Sequence, residues 1–292
     1  MKTLNKALIT TLLFVATSFQ CIHAEELSPV LIGFDGEYGL KNSTSAQAIE
    51  LGLRVAIDEV NAAGGVLGGR PLELVIKDNR SVPSRGVANI KQFAAMPELV
   101  AVFGGRFSPV QLQQVELVHE LKILLLDVWG AANGITDHTH TPSYTFRLSL
   151  KDAWAMPAML KQIGKAGKNR IGVLLPNTGW GRSNQHSLAQ VLPQHPELKV
   201  VDIVWYNFGE QKMLPKYQQL LAKEADIILY VGNDNEGARL VRELGDAPSV
   251  PRLPIVAHWG VTGGQMVEES GATLHELDFS MVQTFSFFKA RP

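Results

Sequence analysis

Short apolar runs of strand length alternate with helix-length segments along almost the whole chain, and this alternation limits the possible folds more than any other feature. Residues 30–34 form an apolar run between polar flanks and read as a buried strand. Ile49, Leu53, Ala56, Ile57 and Val60 then recur at helical spacing. Thr44 or Ser45 can cap that helix, and Gly64-Gly65 ends it. Gly68-Gly69-Arg70-Pro71 makes a turn. Strands over 72–77, 99–103 and 123–126 follow, with helices over 84–95 and 110–121 between them. A helix between consecutive strands is the crossover that parallel neighbours require, so the pattern implies a parallel sheet with helices on both faces. The two-residue alternation of an antiparallel sandwich is absent.

The pattern breaks at a polar loop, 127–142, which contains Gly130, Asn133, Gly134 and Pro142. It resumes with an extended stretch at 144–148 and then restarts. Helices are predicted over 153–163, 185–192, 214–223 and 236–244, and strands over 171–175, 200–205, 227–231 and 255–257. A second α/β lobe therefore begins near Leu148, with the boundary at 147–152. In doubly wound sheets, ligand chemistry sits beyond the carboxyl ends of the strands. The segments that matter are then 35–45, 104–109, 127–133, 176–181, 232–236 and 258–263.

The first residues carry a different signal. Lys2 and Lys6 precede an apolar run over 7–19, and Ile22-His23-Ala24 offers a small residue at a cleavable end. This reads as a secretory signal peptide cut after Ala24. The run is too short to span a bilayer, which needs about 20 residues. Phe19 and Gln20 are too large for a lipoprotein signal ending at Cys21. Cleavage removes the only cysteine, which suits an oxidising compartment and leaves no disulfide framework or thiolate metal site. No later segment is long and apolar enough to cross a membrane, so the expected location is the periplasm. Lys+Arg 27 against Asp+Glu 28 gives a net charge of -1, without the excess that binding to a phosphate backbone requires.

Catalytic motifs are missing. His138 and His140 form a pair without further ligands at recognisable spacing, and read as part of a solvated loop. His119-Glu120 lacks the second histidine of a zinc-protease helix. No serine sits in a Gly-x-Ser-x-Gly elbow. Gly64–Gly69 follows a helix and lacks the Lys-Ser/Thr ending of a phosphate loop, and 233–237 lacks calcium-loop spacing. No enzyme activity, catalytic residue, metal or cofactor is expected. Trp129, Trp180 and Trp259 are three of the five tryptophans, and each stands just past a strand. Three indoles round one cleft would stack on a planar ligand. Arg106, close to Ser108, is placed to pair with an anion.

The run Ala56-Ile57-Asp58-Glu59-Val60-Asn61-Ala62-Ala63-Gly64-Gly65 resembles the first-helix signature of the leucine/isoleucine/valine-binding class of periplasmic solute-binding proteins, the type I binding proteins of ABC importers. The likeness continues through 75–78, Phe103-Gly104-Gly105, 123–136 and 170–181. It implies two doubly wound, Rossmann-like lobes with a ligand cleft between them. In that family a serine after the third strand holds the ligand carboxylate, and Ser108 stands there. Trp129 and Ala131 follow the fourth strand, Thr44 or Ser45 fall near the first helix, Trp180 matches an aromatic cover, and Asn233 follows a second-lobe strand. The acid that pairs with a ligand ammonium falls at or next to Trp259, where an indole offers only a donor and a ring face. Asp127 or Asp234 would have to substitute.

The resemblance divides the chain into a signal peptide, 1–24, a first lobe, 25–147, a second lobe, 148–278, and the start of a return crossover, 279–292. Family members continue beyond that point, so the first lobe is expected to be incomplete and to expose apolar surface. The implied function is binding of a small organic solute (an amino acid, an amide, or an aromatic or other carboxylate) by lobe closure, for delivery to an ABC permease. A sensory input module for a chemoreceptor or kinase and a truncated remnant are the alternatives. Neither nucleic acid nor stable membrane insertion is expected.

Overall fold

The computed structural model describes residues 27–39 and 44–284. The signal-peptide segment with Cys21 and the last eight residues lie outside that range. The first lobe runs β1 (Val30–Gly36), α1 (Ser45–Ala62), β2 (Leu72–Asp78), α2 (Pro83–Ala94), β3 (Leu99–Gly104), α3 (Ser108–Leu121), β4 (Leu124–Asp127) and β5 (Thr145–Arg147). Its sheet is parallel throughout, in the order β2-β1-β3-β4-β5. Pro83 opens α2, where a missing N–H costs nothing, and α3 stops at Lys122, whose φ of 55° turns the chain out of the helix. Ile90, Phe93 and Val118 on α2 and α3 pack on Val102 and Leu125 of the sheet. The other face bears Leu124 and Phe146, which are 38% and 51% exposed.

The second lobe follows with α4 (Asp152–Lys165), β6 (Arg170–Pro176), α5 (Gly179–Val191), β7 (Lys199–Tyr206), α6 (Leu214–Ala222), β8 (Ile227–Tyr230), α7 (Asp234–Asp246), β9 (Ile255–Ala257), α8 (Met266–Ser270) and β10 (Phe279–Met281). Its order is β10-β9-β8-β6-β7, again all parallel. All of β8 and all but Arg170 of β6 are buried, because helices cover both faces and leave no solvent side. Met156, Met159, Leu160 and Ile163 of α4 pack with Ile171, Val173 and Leu175. Tyr217, Leu220, Leu240 and Val241 of α6 and α7 pack with Leu174, Ile228 and Tyr230. Each such side chain adds roughly 1.5–3 kcal/mol by leaving water.

In each sheet the chain winds one way from its first strand and then the other. The switch points fall between β1 and β3 and between β6 and β8, and a crevice forms beyond the strand ends at such points. Several element boundaries differ from the sequence reading. Helix α5 starts at Gly179 rather than 185, because the two glycines and the arginine of its first turn hide the helical period. Helix α7 starts at Asp234, with Asn233 as its cap residue. Residues 279–281 form an edge strand of the second sheet, Phe279 pairing with Ile255, where a return crossover was expected. Among the described residues no helix is long and apolar enough to cross a membrane.

Candidate functional site

The strand ends of the two lobes face each other across a cavity. Ser108, Trp129 and Ala131 line it from the first lobe, and Trp180, Asn233 and Trp259 from the second. Arg106, Phe107, Pro109, Phe208, His258 and Gly260 complete the wall. The lobes sit so close that about 10 Å³ is left, the room of a single water. Thr44 and Ser45 are not in this wall. The Ser45 N–H donates to the Gly263 carbonyl at 3.2 Å and Thr44 Oγ1 to the same oxygen at 3.4 Å, so they join lobe to lobe.

Ser108 is the first residue of α3, and its Oγ accepts the N–H groups of Ala131 (2.9 Å) and Ala132 (3.1 Å). With both lone pairs used, the hydroxyl proton remains to donate. Trp180 lies in the first turn of α5, and its indole N–H donates to Asp152 Oδ1 at 3.2 Å. His258 Nε2 lies 3.1 Å from the same oxygen. Its Nδ1 accepts the Gly260 N–H at 3.4 Å, which assigns the ring proton to Nε2. Trp259 stacks on His258 with centroids 3.8 Å apart, and Trp180 meets His258 edge-on at 4.9 Å. One fully buried histidine thus orients two of the three indoles. Sequence reasoning missed it; its place next to Trp259, just past β9, was the available signal.

The charges nearby are mostly committed. Arg106, with a side chain 2% exposed, donates from Nη1 to Asp234 Oδ1 across the cleft at 2.7 Å. Asp127 is buried against Arg147 at 3.3 Å and accepts from Gln111 Nε2 at 3.0 Å; burial pushes its carboxyl up to about 6. Neither acid is therefore free for a ligand ammonium. Glu37, absent from the sequence reading, accepts the N–H groups of Arg106 (3.1 Å) and Phe107 (3.2 Å). Burial pushes its carboxyl up to about 7. A Cβ at position 105 would collide with that carboxylate, so Gly105 has to lack one. Asn133, also unforeseen, bridges the lobes: its N–H donates to Ser183 Oγ and its Nδ2 to Ser187 Oγ, both at 2.9 Å.

Away from the cleft, His119, His138 and His140 pack ring on ring, with centroids 4.0–5.1 Å apart. Among the described residues no group of three or more His, Cys, Asp or Glu could hold a metal ion.

The sequence model of a family described as periplasmic binding protein matches residues 29–288. No curated protein matches the sequence. Among solved structures, a type 1 periplasmic binding protein from Bordetella pertussis Tohama I superposes with a TM-score of 0.75 at 19% identity, over 84% of this chain and 66% of that one. The branched-chain amino acid transporter substrate binding protein LivJ from Streptococcus pneumoniae, in complex with isoleucine, gives 0.75 at 20% identity, over 89% and 72%. An ABC transporter solute binding protein from R. palustris, in complex with benzoate, gives 0.72 at 17% identity, over 84% and 66%. The chain thus spans about two thirds of the length of these structures. Such identities show the fold, two five-stranded parallel lobes of the type I kind. With the family match covering most of its length, the chain belongs to the periplasmic binding proteins.

Proposed function

We propose that the protein binds a small aromatic carboxylate without an amine, by closure of its lobes in the periplasm, and delivers it to an ABC permease. The carrying observation is the composition of the cavity wall: an arginine and three indoles, with no Asp or Glu. Helices α3 and α5 also begin at this wall, through Ser108 and Trp180. Their dipoles favour a negative group there. A zwitterion would place an unpaired ammonium in the same space, which is costly. Solved relatives of this fold include complexes with 4-hydroxybenzoate and benzoate as well as with leucine and isoleucine.

In this reading the Ser108 hydroxyl proton is donated to the carboxylate from the first lobe, residues 25–147, at a wall that Ala131 and Arg106 share. Trp180, Asn233 and Trp259 cover the ring from the second, 148–278, to which β10 adds its edge. Trp129 stacks from the first lobe, and Thr44 and Ser45 stabilise the closed form through Gly263. A solute enters when the lobes part, and contact with both favours closure. No bond changes. Export by cleavage after Ala24 precedes all of this.

Calorimetric titration of residues 25–292 with benzoate, 4-hydroxybenzoate, leucine and isoleucine tests the reading. The aromatic acids should bind with Kd at or below roughly 10 µM, and the amino acids at least tenfold more weakly. Ser108→Ala should cost the aromatic acids roughly tenfold, about 1.4 kcal/mol. Tighter binding of the amino acids would refute it.

A further inference from the structure

Beside the indole-lined cavity lies a larger chamber of about 330 Å³. Arg106, Phe107, Phe208 and Asn233 line both spaces. Phe107 from the first lobe meets Phe208 from the second edge-to-face, with centroids 5.6 Å apart at 82°. The two spaces are therefore divided by one aromatic ring from each lobe, a partition that separates when the lobes do.

The chamber holds unspent hydrogen-bonding capacity. Arg106 Nε and Ser81 Oγ are buried atoms without a hydrogen-bond partner among the described residues, and both residues line it. A buried donor left unmatched is destabilising, so such atoms point to a missing partner. Ser81 is also held in a costly conformation. Arg80 and Ser81 have φ of 51° and 59°, the left-handed region that favours glycine. Asp78 Oδ1 accepts the Arg80 N–H and Asn79 Oδ1 the Ser81 N–H, each at 2.8 Å, and these bonds keep Ser81 at the chamber wall.

The charged side chains of the chamber already have hydrogen-bonding partners. Arg106 faces Asp234 at 2.7 Å, Arg242 faces Glu269 at 3.6 Å, and Arg239 gives Nη1 to the Gln211 carbonyl at 3.0 Å. Glu236 accepts the Gly209 N–H at 2.8 Å, and burial raises its carboxyl. A further ionic group would upset this balance, whereas a neutral amide or hydroxyl supplies both an acceptor for Arg106 Nε and a partner for Ser81.

We infer that the chamber is an extension of the ligand site, and that the solute is an aromatic acid prolonged by an uncharged amide or hydroxyl group reaching past Phe107 and Phe208. The inference rests on the aromatic-acid reading above. The probes are benzoate, 3- and 4-acetamidobenzoate, and 3- and 4-propylbenzoate as apolar counterparts of similar length.

In the wild type at least one acetamidobenzoate should bind tenfold tighter than benzoate, with a smaller gain for its propyl counterpart. Ser81→Gly deletes the hydroxyl and accepts the positive φ, so the ratio of the two dissociation constants should fall at least threefold. Asn235→Trp, which fills the chamber, should bring the ratio close to one. Each ratio is taken within one variant, so a partly unfolded sample leaves it unchanged. Benzoate binding with no gain from any acetamide probe overturns the extension alone, as does a gain that survives both substitutions. Silence from every aromatic acid overturns the extension and the reading beneath it.

Discussion

Glu37 presents its two carboxylate oxygens to the N–H groups of Arg106 and Phe107, and so fixes the segment that leads to Ser108. Burial raises its carboxyl from 4.5 to about 7. The folded chain therefore holds a proton that the unfolded chain releases above pH 4.5. This contribution to stability is fully present at low pH and declines as pH rises towards 7. Glu37→Gln removes the titration. Between pH 5 and pH 8 the stability difference should move in favour of E37Q by about 1–3 kcal/mol, read from thermal or urea unfolding of both proteins. A difference that does not change with pH would reject the assignment. Asp35 and Asp127, raised to about 6 by burial, have the same sign and are common to both proteins. Ser108 and the three tryptophans were legible in the sequence, since residue type and a position just past a strand sufficed. Glu37 and Phe208 were not, because their roles come from partners distant in the chain, and His258 was overlooked although it too stands just past a strand.

At the level of elements, α5 shows where periodicity runs out. Its first turn, Gly179-Trp180-Gly181-Arg182, has one large apolar residue, which packs at the edge of the core and also lines the cavity. Thr178 stays extended before it, and its Oγ1 accepts the Gly181 N–H at 3.4 Å. The turn is tight enough that a Cβ on Gly181 would strike the Pro176 carbonyl oxygen. Gly181→Ala should therefore destabilise the protein by about 1–3 kcal/mol and shift Trp180 off Asp152. Denaturant unfolding reads the first effect and near-ultraviolet circular dichroism the second. An unchanged midpoint with an unchanged indole signal would contradict the steric account.

Across the whole molecule, the lobes meet through the Arg106–Asp234 pair, the Gly263 carbonyl, Asn133 and the Phe107–Phe208 contact. The ion pair is the most consequential, since both side chains are nearly dry. Asp234→Ala leaves Arg106 buried and unpaired, a penalty of about 3–5 kcal/mol that separation of the lobes relieves by rehydrating the guanidinium. Small-angle scattering should show a larger radius of gyration for D234A, and the double variant Arg106→Met, Asp234→Leu should recover the compact value. Equal radii for wild type and D234A would show that the pair does not hold the lobes. The sequence alone determined the number of lobes, their parallel sheets and the segments beyond the strands, because these follow from periodicities that repeat within a few residues. Only the tertiary structure decided that six of the candidate residues share one cavity while Thr44 and Ser45 face Gly263, and that Arg106 is matched by an acid 128 positions away. Burial and charge pairing depend on which strand ends meet across the cleft, and no local pattern records that.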